Sequence, residues 1–90
     1  MSKVIITVVG KDTVGIIAKV CTYLAEKQVN ILDISQTIVQ DYFNMMMIVD
    51  GSGASVSFDG MASGLDEIGA GIGVNIKCQR EEIFTKMHRI

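Results

Sequence analysis

Apolar positions along the chain follow two rhythms. Lys3 to Val9, "KVIITVV", is a short β-branched run and predicts a first strand. From Val14 the period lengthens. Ile17, Val20, Cys21, Leu24 and Gln28 keep helical i, i+3, i+4, i+7 spacing, with Lys19, Glu26 and Lys27 on the outer side. Asp12 or Thr13 stands where a side chain can cap that helix. Gln28-Val29-Asn30 ends it, and Ile31 to Gln40, "ILDISQTIVQ", reads as a second strand. Its alternation puts Leu32, Ile34 and Ile38 on one face and Asp33, Ser35 and Thr37 on the other. A tight connection at Asp41-Tyr42 leads to Phe43–Asp50, "FNMMMIVD", a third strand forming a hairpin with the second. After a loop from Gly51 to Val56, a second helical pattern runs through Phe58, Met61, Ala62, Leu65, Ile68 and Ile72, capped by Ser55 or Ser57. Val74 to Gln79 is a fourth strand.

The order β-α-β-β-α-β predicts an α+β, ferredoxin-like fold: a four-stranded antiparallel sheet with two helices on one face. Gly60, Gly64, Gly69 and Gly71 lie in the second helical pattern. Each costs about 1 kcal/mol against alanine, so that helix must be held by packing. Strands one and three are apolar on both faces: Val4, Ile6 and Val8 against Ile5 and Val9, then Met45, Met47 and Val49 against Met46 and Ile48. Helices cover only one face of this fold, so the other needs an apolar cover. The tail from Arg80 to Ile90, "REEIFTKMHRI", is amphipathic, with Ile83, Phe84, Met87 and Ile90 on one side. We expect a short C-terminal helical tail that folds across the open face or docks on a neighbour. A homodimer sharing that face or a sheet edge accounts for both features.

Ninety residues suit one domain, here 1–79, followed by the tail 80–90. Hydrophobic residues make up 49% of the chain, an excess that points to a second copy covering part of the surface. The net charge of -2 argues against nucleic acid and anionic membranes, which both require a basic footprint. No run approaches the ~18 apolar residues of a membrane span, and the N-terminus lacks a signal-peptide cleavage pattern. Cys21 and Cys78 stand apart from any CxxC or histidine cluster and read as reduced thiols of a cytoplasmic protein.

The candidate chemistry begins in "VVGKDTVGIIAKV", Val8 to Val20. Gly10-x-x-x-x-Gly15 matches half of a P-loop, but Ile16 and Ile17 replace the Lys and Ser/Thr that reach phosphates and magnesium. "GAGIG", Gly69 to Gly73, precedes a strand instead of following one, so it is a helix end and no dinucleotide loop. An RNA-binding sheet needs stacking aromatics on its central strands; strand one has none and strand three only Phe43. A metal chaperone of this topology needs cysteines in the first loop, and an acylphosphatase needs an arginine there; "GKDTVG" has neither. His88 is the sole histidine and has no motif around it, so no catalytic residue is assigned. Asp33 and Asp41 lack the oxygen-rich loop of a calcium site, and no metal or cofactor is expected.

Gly10-x-Asp12-x-x-Gly15 between a first strand and helix, followed by "VNILDIS" at Val29 to Ser35, resembles the ACT domain family of small regulatory modules. The likeness spans essentially the whole chain. It is narrowest toward the stand-alone ACT proteins related to the glycine-cleavage-system regulator (the UPF0237-like group), through "ISQT", "DYF" and "EEIFTKM". Val14 stands where proline is frequent in the family. The resemblance implies a non-enzymatic module that binds a small-molecule effector, an amino acid, at a homodimer interface and acts on a separate partner enzyme or regulator. It also implies that the first loop (Asp12, Thr13, Val14, Gly15 and Ile16) and the start of strand two (Asn30 and Ile31) line the effector site.

The chemistry suits that role. Free amides of Val14, Gly15 and Ile16 at a helix start suit a carboxylate. Asp12 can take an ammonium, and Asn30, expected across from the loop, offers both a donor and an acceptor. The plainer reading is that Asp12 only caps the helix and Asn30 only turns the chain. The alternative function is a ligand-free interaction subunit docking on an enzyme or regulator.

Overall fold

The computed structural model describes residues 1–11 and 14–82 of the chain. Element order is β1 (Lys3–Lys11), α1 (Ile16–Glu26), β2 (Asn30–Val39), β3 (Tyr42–Asp50), α2 (Phe58–Ile72) and β4 (Val74–Arg80). The strands form one antiparallel sheet in the order β2-β3-β1-β4, so β1 and β3 lie inside and β2 and β4 form the edges. This is the expected α+β, ferredoxin-like arrangement with both helices on one face. The apolar side of the C-terminal tail, Ile83 to Ile90, lies outside the described residues.

The two helices and the even-numbered face of β1 close a single core. Val4, Ile6 and Val8 meet Met45, Met47 and Val49 across the β1–β3 register, and the helices lay Ile16, Val20, Leu24, Met61 and Leu65 over them. Burying one such side chain is worth about 1.5–3 kcal/mol, which offsets the glycine content of α2. Helix α1 presents Ile16, not Ile17, to this core: Ile17 is 37% exposed while Ile16 is 2%. The reason is its late start. Gly15 occupies the N-cap in the left-handed region (φ 89°), and Ile16, Val20 and Leu24 then repeat every fourth residue. Gln28, expected on that face, instead turns the chain with φ 60°.

Strand β1 runs two residues beyond its apolar stretch, carrying Gly10 into the sheet opposite Val74. A Cβ on Gly10 would come within 3.0 Å of the Val74 Cα, so this glycine serves the close approach of two strands. Ser57 caps α2, its hydroxyl accepting from the Gly60 N–H at 3.1 Å. Ser55, the other candidate, is used differently: its N–H donates to the Lys27 carbonyl at 2.9 Å and ties the loop before α2 to the end of α1.

Strand β2 departs from the expected alternation. A bulge between Ile31 and Asp33 shifts the register, so Ile31 rather than Leu32 shares the helix-side face with Ile34 and Ile38. No residue of β2 is fully buried, and Leu32, Ile34, Ile38 and Val39 are all exposed.

Two glycines of α2 predict opposite effects of one substitution. Gly69→Ala places a methyl 2.7 Å from the Val74 carbonyl oxygen and should cost about 1–3 kcal/mol in urea unfolding. Gly71→Ala meets open space and should stabilise by up to about 1 kcal/mol. Burial, with a smaller contribution from Asp66, pushes the Cys78 thiol from 9.0 up to about 11. The unfolded chain therefore releases this proton first as pH rises. Stability present below pH 9 should fall between pH 9 and 11 by up to about 2 kcal/mol, and Cys78→Ala should abolish that part of the decline.

Candidate functional site

The loop between β1 and α1 has a conformation only glycine adopts easily. Gly15 takes the left-handed region, and among the described residues no side chain caps the first N–H groups of α1. The helix is anchored from behind by the buried Ile16 and by the bond from the Lys19 N–H to the Gly15 carbonyl at 2.9 Å. No acidic side chain lies in its first turn, so the positive end of the helix dipole is not neutralised from within. A Cβ built on Gly15 meets nothing within 4 Å, and Val14 is 99% exposed. The described part of the loop, Val14 and Gly15, is thus open to solvent at the donor end of the helix. Asp12 and Thr13, the two polar side chains expected there, lie outside the described residues.

The start of β2 carries the other expected group. Asn30 is exposed and pairs with Asp50, while Ile31 is half-buried against the core. Asp50 also pairs with Lys3 on its other side. Its carboxyl is held below the usual range, first by hydrogen bonds from Ser52 (the backbone N–H donates at 3.0 Å) and then by the charge of Lys3.

These two groups do not meet within one chain. Asn30 lies level with Asp50 at one end of β3, whereas Lys11, at the loop, lies level with Tyr42 at the other end. Eight residue steps separate those levels, about 26 Å along the strand. The expectation that Asn30 stands across from the loop therefore fails for a single protomer. The hairpin geometry is the cause: β2 enters the sheet where α1 finishes, at the end opposite to where α1 begins.

One concave surface was not foreseen from the sequence. Between α1 and α2 runs a shallow groove of about 340 Å³ lined by Ala18, Lys19, Thr22, Tyr23, Glu26 and Ile68. A second hollow adjoins it over Gly64, Glu67 and Gly71. The Tyr23 ring lies against Gly64, and its phenol is raised above its ordinary value by burial, then by the nearby Cys78 and Glu67. Its only sequence signal was the pair of glycines, Gly64 and Gly71, on one side of α2. The groove contains neither Gly15 nor Asn30. Among the described residues there is no cluster of three potential metal ligands, and no helix is long and apolar enough to cross a membrane.

Comparison with known proteins bears on this arrangement. The family model described as ACT domain matches residues 2–79. A UPF0237 protein of Bifidobacterium longum is 67% identical over 100% of both chains. The solved ACT domain protein from Streptococcus pneumoniae is 42% identical, covers 92% of this chain and 93% of that one, and superposes with a TM-score of 0.80. A structure described as a glycine cleavage system transcriptional repressor shares the fold at 22% identity and a TM-score of 0.74, over 87% of this chain and 44% of its own. With the sheet order, the glycine loop and the model match in agreement, this chain belongs to the ACT domain family, alongside the stand-alone UPF0237 proteins.

Proposed function

We propose that this protein is a non-enzymatic regulatory module that binds a free amino acid in a site shared by two copies, and passes the signal to a separate protein in the cytoplasm. The observation that carries the reading is the distance between Asn30 and the Gly15 loop. A two-fold axis through β2 reverses the strand direction, so each Asn30 arrives at the loop end of the other copy. The paired sheet edge then brings the loop's outward amides to the carboxylate and Asn30 to the amino group or its neighbours. Asp12 and Thr13 complete the polar lining, and Val14 and Ile31 its apolar part.

The choice of edge rests on composition. β2 exposes Leu32, Ile34, Ile38 and Val39 and carries one charge, Asp33. The opposite edge, β4, buries Val74 and Ile76 and presents Lys77 and Arg80, charges that discourage strand addition. Unpaired Cys21 and Cys78 suit a reducing compartment. A second reading, the ligand-free docking subunit, draws on the groove between α1 and α2. The absence of any amino acid effect in the titration below would leave that reading standing.

Replacing Ile34 and Ile38 together by Glu should convert a particle of about twice 9.8 kDa into one of 9.8 kDa by light scattering. A monomeric wild type, or a variant that stays dimeric, counts against the β2 edge. In thermal unfolding, the cognate amino acid at 100 times its Kd should add ~2.7 kcal/mol and raise Tm by about 10 °C. Asn30→Ala should remove that shift while leaving the unliganded Tm within a degree or two. An unchanged shift in the variant removes Asn30 from the site.

A further inference from the structure

The outer side of the two helices is built from small residues. Ile16, Val20 and Leu24 bury the inner side of α1, which leaves Ala18, Thr22 and Ala25 facing out, all exposed. On α2 the same rotation brings out Ser63 and Ala70, with Gly64 and Gly71 beside the groove. Tyr23 lies down between the helices, its hydroxyl donating to the Gly60 carbonyl at 3.4 Å and its ring against Gly64. The surface is therefore low, and a second helix layer can approach it to about 8 Å between axes, the near limit for packed helices.

Small residues alone do not name an occupant, but the charges bordering the groove do. Lys19 and Glu26 line the same side of α1, two turns or about 10.5 Å apart. We infer that this face pairs with the same face of a second copy, α1 antiparallel to α1, about a two-fold axis level with Thr22 and Tyr23. Lys19 of each copy then stands against Glu26 of the other. A parallel pair would set Lys19 against Lys19 and Glu26 against Glu26. On α2, Glu67 lies about one turn from Gly64, so it meets the bare stretch near Gly60 and not its own counterpart.

The contact is modest. The 11 residues of α1 are about 16 Å long and two helices are about 20 Å wide, so each copy gives roughly 330 Å². Twice that is below the ~1,200 Å² of a stable interface, so the association is weak and depends on concentration. It goes beyond the β2-edge pairing and does not require it. The edge axis runs through the sheet, whereas this one lies in the helix layer across α1. Both pass midway between the loop end and the Asn30 end, because α1 begins at the first and finishes at the second. Two such perpendicular axes close four copies into a dimer of dimers and leave no open fibre.

Sedimentation velocity of the full chain between about 10 µM and about 1 mM tests the pairing. The average mass should rise toward twice its low-concentration value. Lys19→Glu and Glu26→Lys each remove the attraction and should hold the mass down; both residues are exposed, so the fold is not disturbed. The two changes combined in one chain should restore the rise, and equal amounts of the two single variants should associate with each other. A constant mass in the wild type, an undiminished rise in either single variant, or a double swap that recovers nothing would overturn the proposal. Should the edge reading alone be wrong, the low-concentration mass is 9.8 kDa instead of twice that, and the charge-swap pattern is unchanged.

Discussion

Ile6 and Val8 from β1 and Met45 and Met47 from β3 are packed without exposed surface against Val20, Leu24, Met61 and Leu65 from the two helices. This contact joins the layers, and its position explains the rest of the molecule. It is centred on the two inner strands, with α2 extending toward β4. β2 is left as an overhang, paired along β3 but scarcely covered by a helix. An apolar strand with one free edge and little cover is unstable as a solvent-facing surface, and the proposed pairing with a second copy would satisfy it.

The same layering divides the work of the glycines that first suggested a ligand loop. Gly10 is drawn into the sheet, where Val74 leaves no room for a side chain. Gly15, five residues on, has open space around it and starts the helix with φ 89°, a conformation that suits glycine. One glycine thus holds the sheet together and the other leaves an opening. A carboxylate is a suitable occupant of such an opening because it needs only oriented N–H groups, and the loop offers no arginine for a phosphate.

Most of the fold was legible because its signals are local. The β-branched run at Lys3–Val9, the helical spacing through Val20 and Leu24, and Ser57 ahead of Phe58 each fix an element without reference to the others. What was not legible depended on tertiary arrangement. The β2 bulge changes which of Ile31 and Leu32 faces the helices, and nothing in "NILDIS" marks an extra residue. The start of α1 shifted the buried face from Ile17 to Ile16, because a glycine N-cap leaves a weaker mark than a capping side chain. The distance between Asn30 and the Gly15 loop follows from strand direction across two connections, beyond the reach of motif spacing. Motif spacing therefore named two candidate fragments without the separation between them in one chain.

In the proposed dimer each effector site takes its loop from one chain and its asparagine from the other, and mixed dimers separate the two contributions. Asn30→Ala disables one half; Gly15→Asn fills the loop with a residue that tolerates the left-handed region and so disables the other half without forcing the backbone. Each variant alone should fail to bind the effector in calorimetry. Refolded together in equal amounts, about half of the dimers carry one chain of each kind, and each of these regains one of its two sites. A shared site should give about a quarter of the wild-type stoichiometry at wild-type affinity. A mixture that binds no better than its components, while the wild type binds fully, would place both halves of the site on one chain and contradict it.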